Sequence, residues 1–223
     1  MDTLLSSAEE NYLKAIQKLS ETDITKISTN DIANMMNIAP PSVSDMLKKL
    51  ASKKLISYEK YYGVKLTKSG ETIALSLVRK HRLWEVFLTQ KLNFAWDEVH
   101  DIAEQLEHIK SDDLINRLEK YLGNPKYDPH GDPIPDAKGQ IQTRKQIQLN
   151  ELKKNEKAVI VGVKDTGAVF LQFLDSIKLS LGTKVQLKNI VEFDRSIVIK
   201  LGDNRELMLS HLVSENIFVS PIA

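Results

Sequence analysis

The chain has no cysteine, which removes disulfide stapling and thiolate metal ligation together. It has no run approaching the roughly 20 consecutive apolar residues that a membrane-spanning helix requires. Its N-terminus, MDTLLSSAEENYLKAIQKL, lacks the basic region and apolar core of a secretion signal. A cytoplasmic protein that does not cross a membrane is therefore expected. Charge of one sign is also scarce, with 31 Lys+Arg against 30 Asp+Glu. Only seven prolines and nine glycines occur, and four of the prolines and three of the glycines fall between Gly123 and Gly139. That segment excludes regular structure there and marks a loop or linker.

The 223 residues, 42% hydrophobic and 27% charged, suit two or three small soluble units. Helical spacing of Tyr12, Ile16 and Leu19 predicts a first helix over about residues 8–19. Ser28 with Asp31 three residues on caps a second, and Pro40 and Pro41 open a third in which Val43, Met46, Leu47 and Leu50 form one apolar stripe. The alternation in LISYEKYYGVKLT then reads as a two-stranded wing. A long amphipathic helix follows through about Gln90, with further helices at about Trp96–Lys110 and Asp112–Tyr121. From about Leu149 short β-type runs (KAVIVGV, KVQLKNIV, SIVIKLG, ENIFVSPI) indicate a small barrel. The expected fold is mainly α with small β, divided as 1–72, 73–140 (with the Pro/Gly-rich loop 123–139) and 141–223.

Helix, short turn, helix and hairpin form a winged helix-turn-helix, a geometry that places one helix in the DNA major groove. The polar face of the third helix carries Pro41, Ser42, Ser44, Asp45, Lys48 and Lys49, and the wing adds Lys60 and Tyr61. Serines can donate to bases or phosphates, lysines suit phosphates, and Asp45 can accept from a cytosine or answer the helix dipole. Taken alone, such a face is more often a solvated surface.

Counting charge by thirds sharpens the picture: residues 1–70, 71–140 and 141–223 balance at +2, −4 and +3. The acidic middle holds four of the five histidines, with His81 and Glu85 four apart on one helix. His100, Glu104, Glu107 and His108 fall on one stripe of the next. Singly these stripes can be salt-bridged surfaces, but their concentration points to a metal site of imidazole and carboxylate. That harder donor set favours Mn²⁺ or Fe²⁺, and Zn²⁺ and Co²⁺ would also bind by the affinity order.

The stretches RKHRLWE (79–85), VHDIAEQLEH (99–108) and YDPHGDPIP (127–135), supported by APPSVSDMLKKL and YEKYYGVKLTKSG, resemble the diphtheria-toxin-repressor family of metal-dependent regulators, in its three-domain manganese and iron type. The resemblance covers nearly the whole length. It implies an N-terminal winged helix-turn-helix, a helical metal-binding and dimerisation domain, and a C-terminal domain similar to the SH3-like (FeoA-type) domain of ferrous-iron transport proteins. It further implies a homodimer on pseudo-palindromic double-stranded operator DNA.

The resemblance places a primary metal site on Asn11, Glu104, Glu107 and His108. Glu104 stands where iron-type relatives carry a cysteine, so manganese is expected, with iron as the alternative. Asn11 departs from the aspartate or methionine of relatives, and Lys14 stands where two-domain manganese regulators carry a glutamate. A second site has two versions, one on His81, Glu85 and His100 with help from the third domain, the other on Glu85, Asp128, His130 and Asp165. Two more distant readings are a winged-helix sensor of an organic ligand and a carboxylate–histidine metalloenzyme. Against the enzyme, no nucleophile is paired with a base in the sequence.

Overall fold

The computed structural model describes residues 5–22, 24, 26–59 and 63–222, so Lys60 and Tyr61 of the wing lie outside the described residues. Two compact units are present, described separately below. One comprises the N-terminal residues through Trp84 with Ala103–Tyr121 and Pro135–Ile141; the other comprises Glu85–Ile102, Leu122–Ile134 and the chain from Gln142 onward.

In the first unit, α1 (Ser7–Ser20) and α2 (Thr29–Met36) each begin with a reciprocal capping box, Ser6 with Glu9 and Ser28 with Asp31. Each box satisfies two otherwise orphaned backbone donors. Asn37 closes α2 in the left-handed conformation at φ 52°, and α3 (Pro40–Ser52) starts on its two prolines. Val43, Leu47 and Leu50 of α3 bury against Leu13, Ile16 and Ile32, as the apolar stripe predicts. The wing pairs β1 (Ile56–Glu59) with β2 (Gly63–Leu66), Tyr58 facing Val64. Gly70 lies in the first turn of α4 (Lys68–Leu92), where an added Cβ would meet the Leu55 carbonyl oxygen at 2.0 Å, so the helix seats directly on the wing's entry strand.

The helix α5 (Val99–Leu106) is shorter than the sequence pattern predicts. Asn93 takes φ 58° after the end of α4, and the Glu98 carboxylate accepts from the Ala95 backbone N–H, so Trp96 belongs to a turn. At the other end the last helical bond is Glu107 N–H to the Ala103 carbonyl, which leaves His108 beyond the helix. Its side chain is thereby released from the stripe that spacing alone assigns it. Helix α6 (Asp112–Tyr121) follows as expected.

The second unit is built on a six-stranded antiparallel sheet in the order β3-β8-β4-β5-β6-β7. Its strands are β3 (Ile147–Gln148), β4 (Lys157–Val163), β5 (Lys184–Ile190), β6 (Ile197–Leu201), β7 (Glu206–Leu209) and β8 (Ile217–Ile222). Helices α7 (Ala168–Ser176) and α8 (His211–Glu215) interrupt it, and Leu171 and Leu174 of α7 join a core formed by Ala158, Ile160, Leu187, Ile199 and Val219. The four β-type runs read from sequence correspond to β4, β5, β6 and β8. A register shift between Ile160 and Gly162 where β4 pairs β8 frees the Val161 carbonyl from the ladder.

Candidate metal centres and DNA-facing helix

On α3 the side chains of Pro41, Ser42, Asp45, Lys48 and Lys49 are exposed and Ser44 is half-buried, its hydroxyl donating to the Pro40 carbonyl at 3.2 Å. Asp45 is paired with Lys48 at 3.0 Å on this exposed face. Glu9 of α1 anchors the helix from behind, with Lys53 at 2.5 Å and Lys49 at 3.4 Å. Burial works to raise the Glu9 carboxyl, but the lysines and the Ser6 backbone N–H outweigh it and hold the pKa at about 2.

Also in the first unit, α1, α4 and the end of α5 bring together a buried ionic cluster. The Lys14 ammonium donates to both Glu107 oxygens at 2.9 and 2.7 Å, lies 3.3 Å from His81 Nδ1 and 3.7 Å from Glu104. His81 Nδ1 itself meets Glu107 at 2.5 Å. Burial tends to raise the Glu107 carboxyl, yet His81 and Lys14 hold it below the ordinary carboxylate range. Beside this cluster His108 Nδ1 contacts Glu10 at 2.7 Å, with its Nε2 4.0 Å from Glu107. Of the expected primary ligands, His108 Nε2 lies 4.0 Å from Glu107, and Glu104 is linked to Glu107 through the Lys14 ammonium, so the three are not drawn into one close ligand group; half-buried Asn11 takes no part in these contacts. Glu10, its neighbour on α1, does. Nothing in the sequence distinguishes Glu10 from the other acids of that helix except its place next to Asn11.

The second unit carries another group. Glu85, Asp128 and His130 are all buried, and one ligand atom from each lies within 4.8 Å of the others. Glu85 is shared: one oxygen is 3.5 Å from His100 Nδ1 and the other 3.8 Å from His130 Nδ1. His81, one turn earlier on α4, faces Glu107 as described. The His130 Nε2 makes a 2.8 Å hydrogen bond with the Trp96 carbonyl, which requires Nε2 to be the donor. Nδ1 is thereby left directed at Glu85 as the ligating nitrogen. Burial lowers the imidazole's proton affinity, but Glu85, Asp128 and the Trp96 carbonyl outweigh it and push the pKa up to about 9. In the absence of a metal a proton takes its place on Nδ1. Three buried hard donors with the tautomer already set fit a divalent ion of the Mn²⁺ or Fe²⁺ kind. Asp165 is exposed, and its carboxylate accepts from the Gly167 N–H at 2.8 Å.

The loop bearing Asp128 and His130 is pinned to the sheet at the β4 irregularity. The His130 carbonyl accepts from the Val163 N–H at 2.9 Å, and one Asp128 oxygen accepts from the N–H groups of His130 and Asp132 at 2.9 Å each. Arg144 donates to the Gly131 carbonyl at 2.6 Å and to the freed Val161 carbonyl, with its guanidinium over the Tyr127 ring at 3.9 Å. Sequence reasoning passed over Arg144, a lone arginine in a polar linker. Gly131 sits at φ 92°, and a Cβ there would meet the Val161 oxygen at 2.2 Å. Gly131→Ala is accordingly expected to cost at least about 2 kcal/mol in urea unfolding, by strain and clash together. An unchanged midpoint would show that the loop is not pinned this way.

Comparison with known proteins agrees with this geometry. Residues 4–64 match the family described as iron dependent repressor, N-terminal DNA binding domain; residues 67–136 match its metal binding and dimerisation domain; residues 147–221 match the FeoA domain. A solved manganese-dependent transcriptional repressor in complex with manganese superposes with a TM-score of 0.88 at 34% identity, covering 96% of this chain and all of that one. The chain belongs to the diphtheria-toxin-repressor family. That family consists of transcriptional repressors rather than enzymes. A structure of ScaR with bound Zn²⁺ is similar as well, at a TM-score of 0.75 and 32% identity over 96% of this chain and 99% of that one. Among curated members, the iron-dependent repressor IdeR of Mycobacterium tuberculosis strain H37Rv is 34% identical over 131 residues, 59% of this chain. The chain spans 56% of the length of that relative. The diphtheria toxin repressor of Corynebacterium glutamicum is 29% identical over 94% of this chain and 96% of its own length. Among the described residues no helix is long and apolar enough to cross a membrane.

Proposed function

We propose that this protein is a metal-dependent DNA-binding transcriptional repressor of metal-ion homeostasis, a cytoplasmic homodimer that binds a pseudo-palindromic operator when charged with Mn²⁺. The observation that carries the reading is the buried Glu85–Asp128–His130 group, a preorganised carboxylate–imidazole site in a chain whose residues 4–64 match a DNA-binding domain. The domains are taken as 1–72 for DNA binding, 73–140 for metal binding and dimerisation, and 141–223 for the linker and FeoA-type domain.

The regulatory ion is assigned to the cluster of Glu104, Glu107 and His108 with Asn11 or Glu10 of α1. A cation shared between α1 and the end of α5 ties the DNA-binding helices to the dimerisation domain and selects one orientation of the recognition helices. The second ion is assigned to Glu85, Asp128 and His130, with His100 and Asp165 as further candidates. When bound, either ion supplies only charge and fixed coordination geometry. Operator DNA must in return tighten metal binding by the same factor. Manganese is favoured by Glu104 in place of a thiolate and by the manganese-dependent structural relatives. Iron is the second reading, supported by the iron-dependent curated relatives.

Fluorescence anisotropy of an operator duplex with chelator, then with Mn²⁺, Fe²⁺ or Zn²⁺ restored, tests the function. Metal should tighten operator binding at least tenfold, with Mn²⁺ acting at the lowest free concentration. Equal affinity with and without metal would remove the switch.

A further inference from the structure

We propose that Trp96 is a positioning residue of the second metal group, through which helix α7 of the C-terminal domain fixes the His130 imidazole for its ion without lending that ion a ligand. The proposal rests on the reading of Glu85, Asp128 and His130 as a metal group. The turn that carries Trp96 is set locally. Asn93 follows α4 in the left-handed conformation at φ 58°, the Phe94 N–H closes back on the Leu88 carbonyl at 3.1 Å, and Glu98 caps the Ala95 N–H at 3.0 Å. Half-buried Trp96 then meets His130 twice. Its carbonyl accepts from Nε2 at 2.8 Å, and its ring stacks on the imidazole with centroids 6.2 Å apart and planes 14° from parallel. One residue thus supplies both the hydrogen bond that selects the tautomer and the flat surface that fixes the plane of the ring, and these two properties decide where Nδ1 points.

Helix α7 holds Trp96 at its other end. The indole Nε1–H donates to the Asp175 carboxylate at 2.9 Å, and the Gln172 side chain donates to the Asp97 carboxylate at 2.8 Å. Gln172 and Asp175 are three apart on one face of α7, so they grip two consecutive residues of the turn. The neighbouring Leu171 and Leu174 are buried in the barrel core, against which Trp96 also packs. A rigid core behind α7 therefore makes the place of the Trp96 carbonyl a property of the C-terminal domain. A ligand atom held in position by packing and by hydrogen bonds behind it has less to reorganise when the ion arrives. Exposed Asp175 bonds the indole, and its effect on the ion runs through Trp96 to His130, across 79 and then 34 residues of sequence.

The test loads the full chain with Co²⁺, which shifts the exchangeable ring N–H of a ligating histidine well outside the ordinary proton spectrum, and follows the exchange of that proton with water by nuclear magnetic resonance. Calorimetry gives the number and affinity of Mn²⁺ ions. The His130 Nε2–H signal is the one lost in His130→Ala, and in wild type the Trp96 carbonyl should keep it in slow exchange. Asp175→Ala should speed that exchange at least about tenfold and weaken Mn²⁺ at this group at least about fivefold, with the number of ions per chain unchanged. Asp175→Asn keeps an acceptor oxygen and should restore both. Trp96→Phe keeps the carbonyl and a stacking ring but has no N–H, so it should lose at least as much as Asp175→Ala, and adding Asp175→Ala to it should cost nothing further. Wild-type exchange and affinity in Asp175→Ala overturns the proposal, as does an equal loss in Asp175→Asn or a further loss in the double variant. Weaker binding with wild-type exchange, the mark of general loosening, overturns it too. If Asp175→Ala fails to fold in chelator, Gln172→Ala should show the same two changes, and their absence overturns the proposal. His130→Ala separates the two readings. If it binds one ion fewer while Asp175→Ala behaves as wild type, only the role of Trp96 is wrong; if it too binds Mn²⁺ as wild type, the group is not a metal site.

Discussion

Glu107→Gln is expected to abolish metal-stimulated operator binding and at the same time to destabilise the metal-free protein by about 3–5 kcal/mol. From the sequence the exchange looks conservative, an isosteric replacement on a helix end that should leave the fold intact. The structure gives Glu107 a second duty as the partner of buried Lys14, which reaches both of its oxygens, and as the 2.5 Å partner of His81. Removing its charge leaves an ammonium stranded in a site with little water, and a buried charge without its partner costs far more than the pair itself is worth. The sign of the pH response follows from the depressed carboxyl. Its stabilisation is present above the unfolded value near 4.3 and is lost as pH falls below it, so the wild-type advantage over Glu107→Gln should shrink in acid. Urea unfolding at pH 7 and pH 4 and operator anisotropy at rising Mn²⁺ measure both effects. The double variant Lys14→Met/Glu107→Gln should recover most of the stability and none of the metal response, since the two residues are coupled through direct contact. Half-maximal operator binding at the wild-type Mn²⁺ concentration in Glu107→Gln would show that the regulatory ion sits elsewhere.

The parts legible in the sequence are those governed by local rules. Ser28 with Asp31, the Pro40–Pro41 start and the Val43–Leu47–Leu50 stripe specify α2 and α3 within a few residues, because capping and amphipathic spacing act over one or two turns. Ligand types in the middle segment are readable for the same reason. Their partners are not. Helical spacing places His108 on the stripe of Glu104, but α5 ends at Leu106 and the imidazole turns to Glu10, 98 residues away in sequence. Lys14 reads only as a cation where two-domain manganese regulators carry a glutamate, and the fold alone shows it bound to Glu107 across 93 residues. In the barrel region α7 escapes the sequence reading because AVFLQFLDS is apolar on most of its surface, and β3 is two residues long. Arg144 shows the limit most clearly. Its work depends on the Val161 carbonyl being freed by an irregularity in β4, which no pattern in the linker announces.

His130 makes metal binding at the second group strongly pH-dependent. In the metal-free protein its pKa of about 9 means that Nδ1 carries a proton toward Glu85 throughout the neutral range. A divalent ion must displace that proton, since Nε2 is committed to the Trp96 carbonyl. Binding at pH 7.5 should therefore release close to one proton from this residue, and apparent affinity should rise by nearly tenfold per pH unit until about pH 9, then level. Stability of the metal-free protein moves the opposite way. The folded value lies above the unfolded value near 6.5, so the stabilisation by His130 is complete below pH 6.5 and is lost as pH rises through about 9, a change on the order of 3 kcal/mol. Mn²⁺ should remove that alkaline loss, because the ion takes over the proton's role between Glu85 and Asp128. Calorimetry in buffers of different ionisation enthalpy gives the proton count, and unfolding midpoints between pH 6 and 9.5, with and without Mn²⁺, give the stability profile. His130→Ala should bind one ion fewer, release no proton at this group and lose the slope in both profiles. A wild-type proton count in His130→Ala would mean that the proton displaced by the metal belongs to another residue.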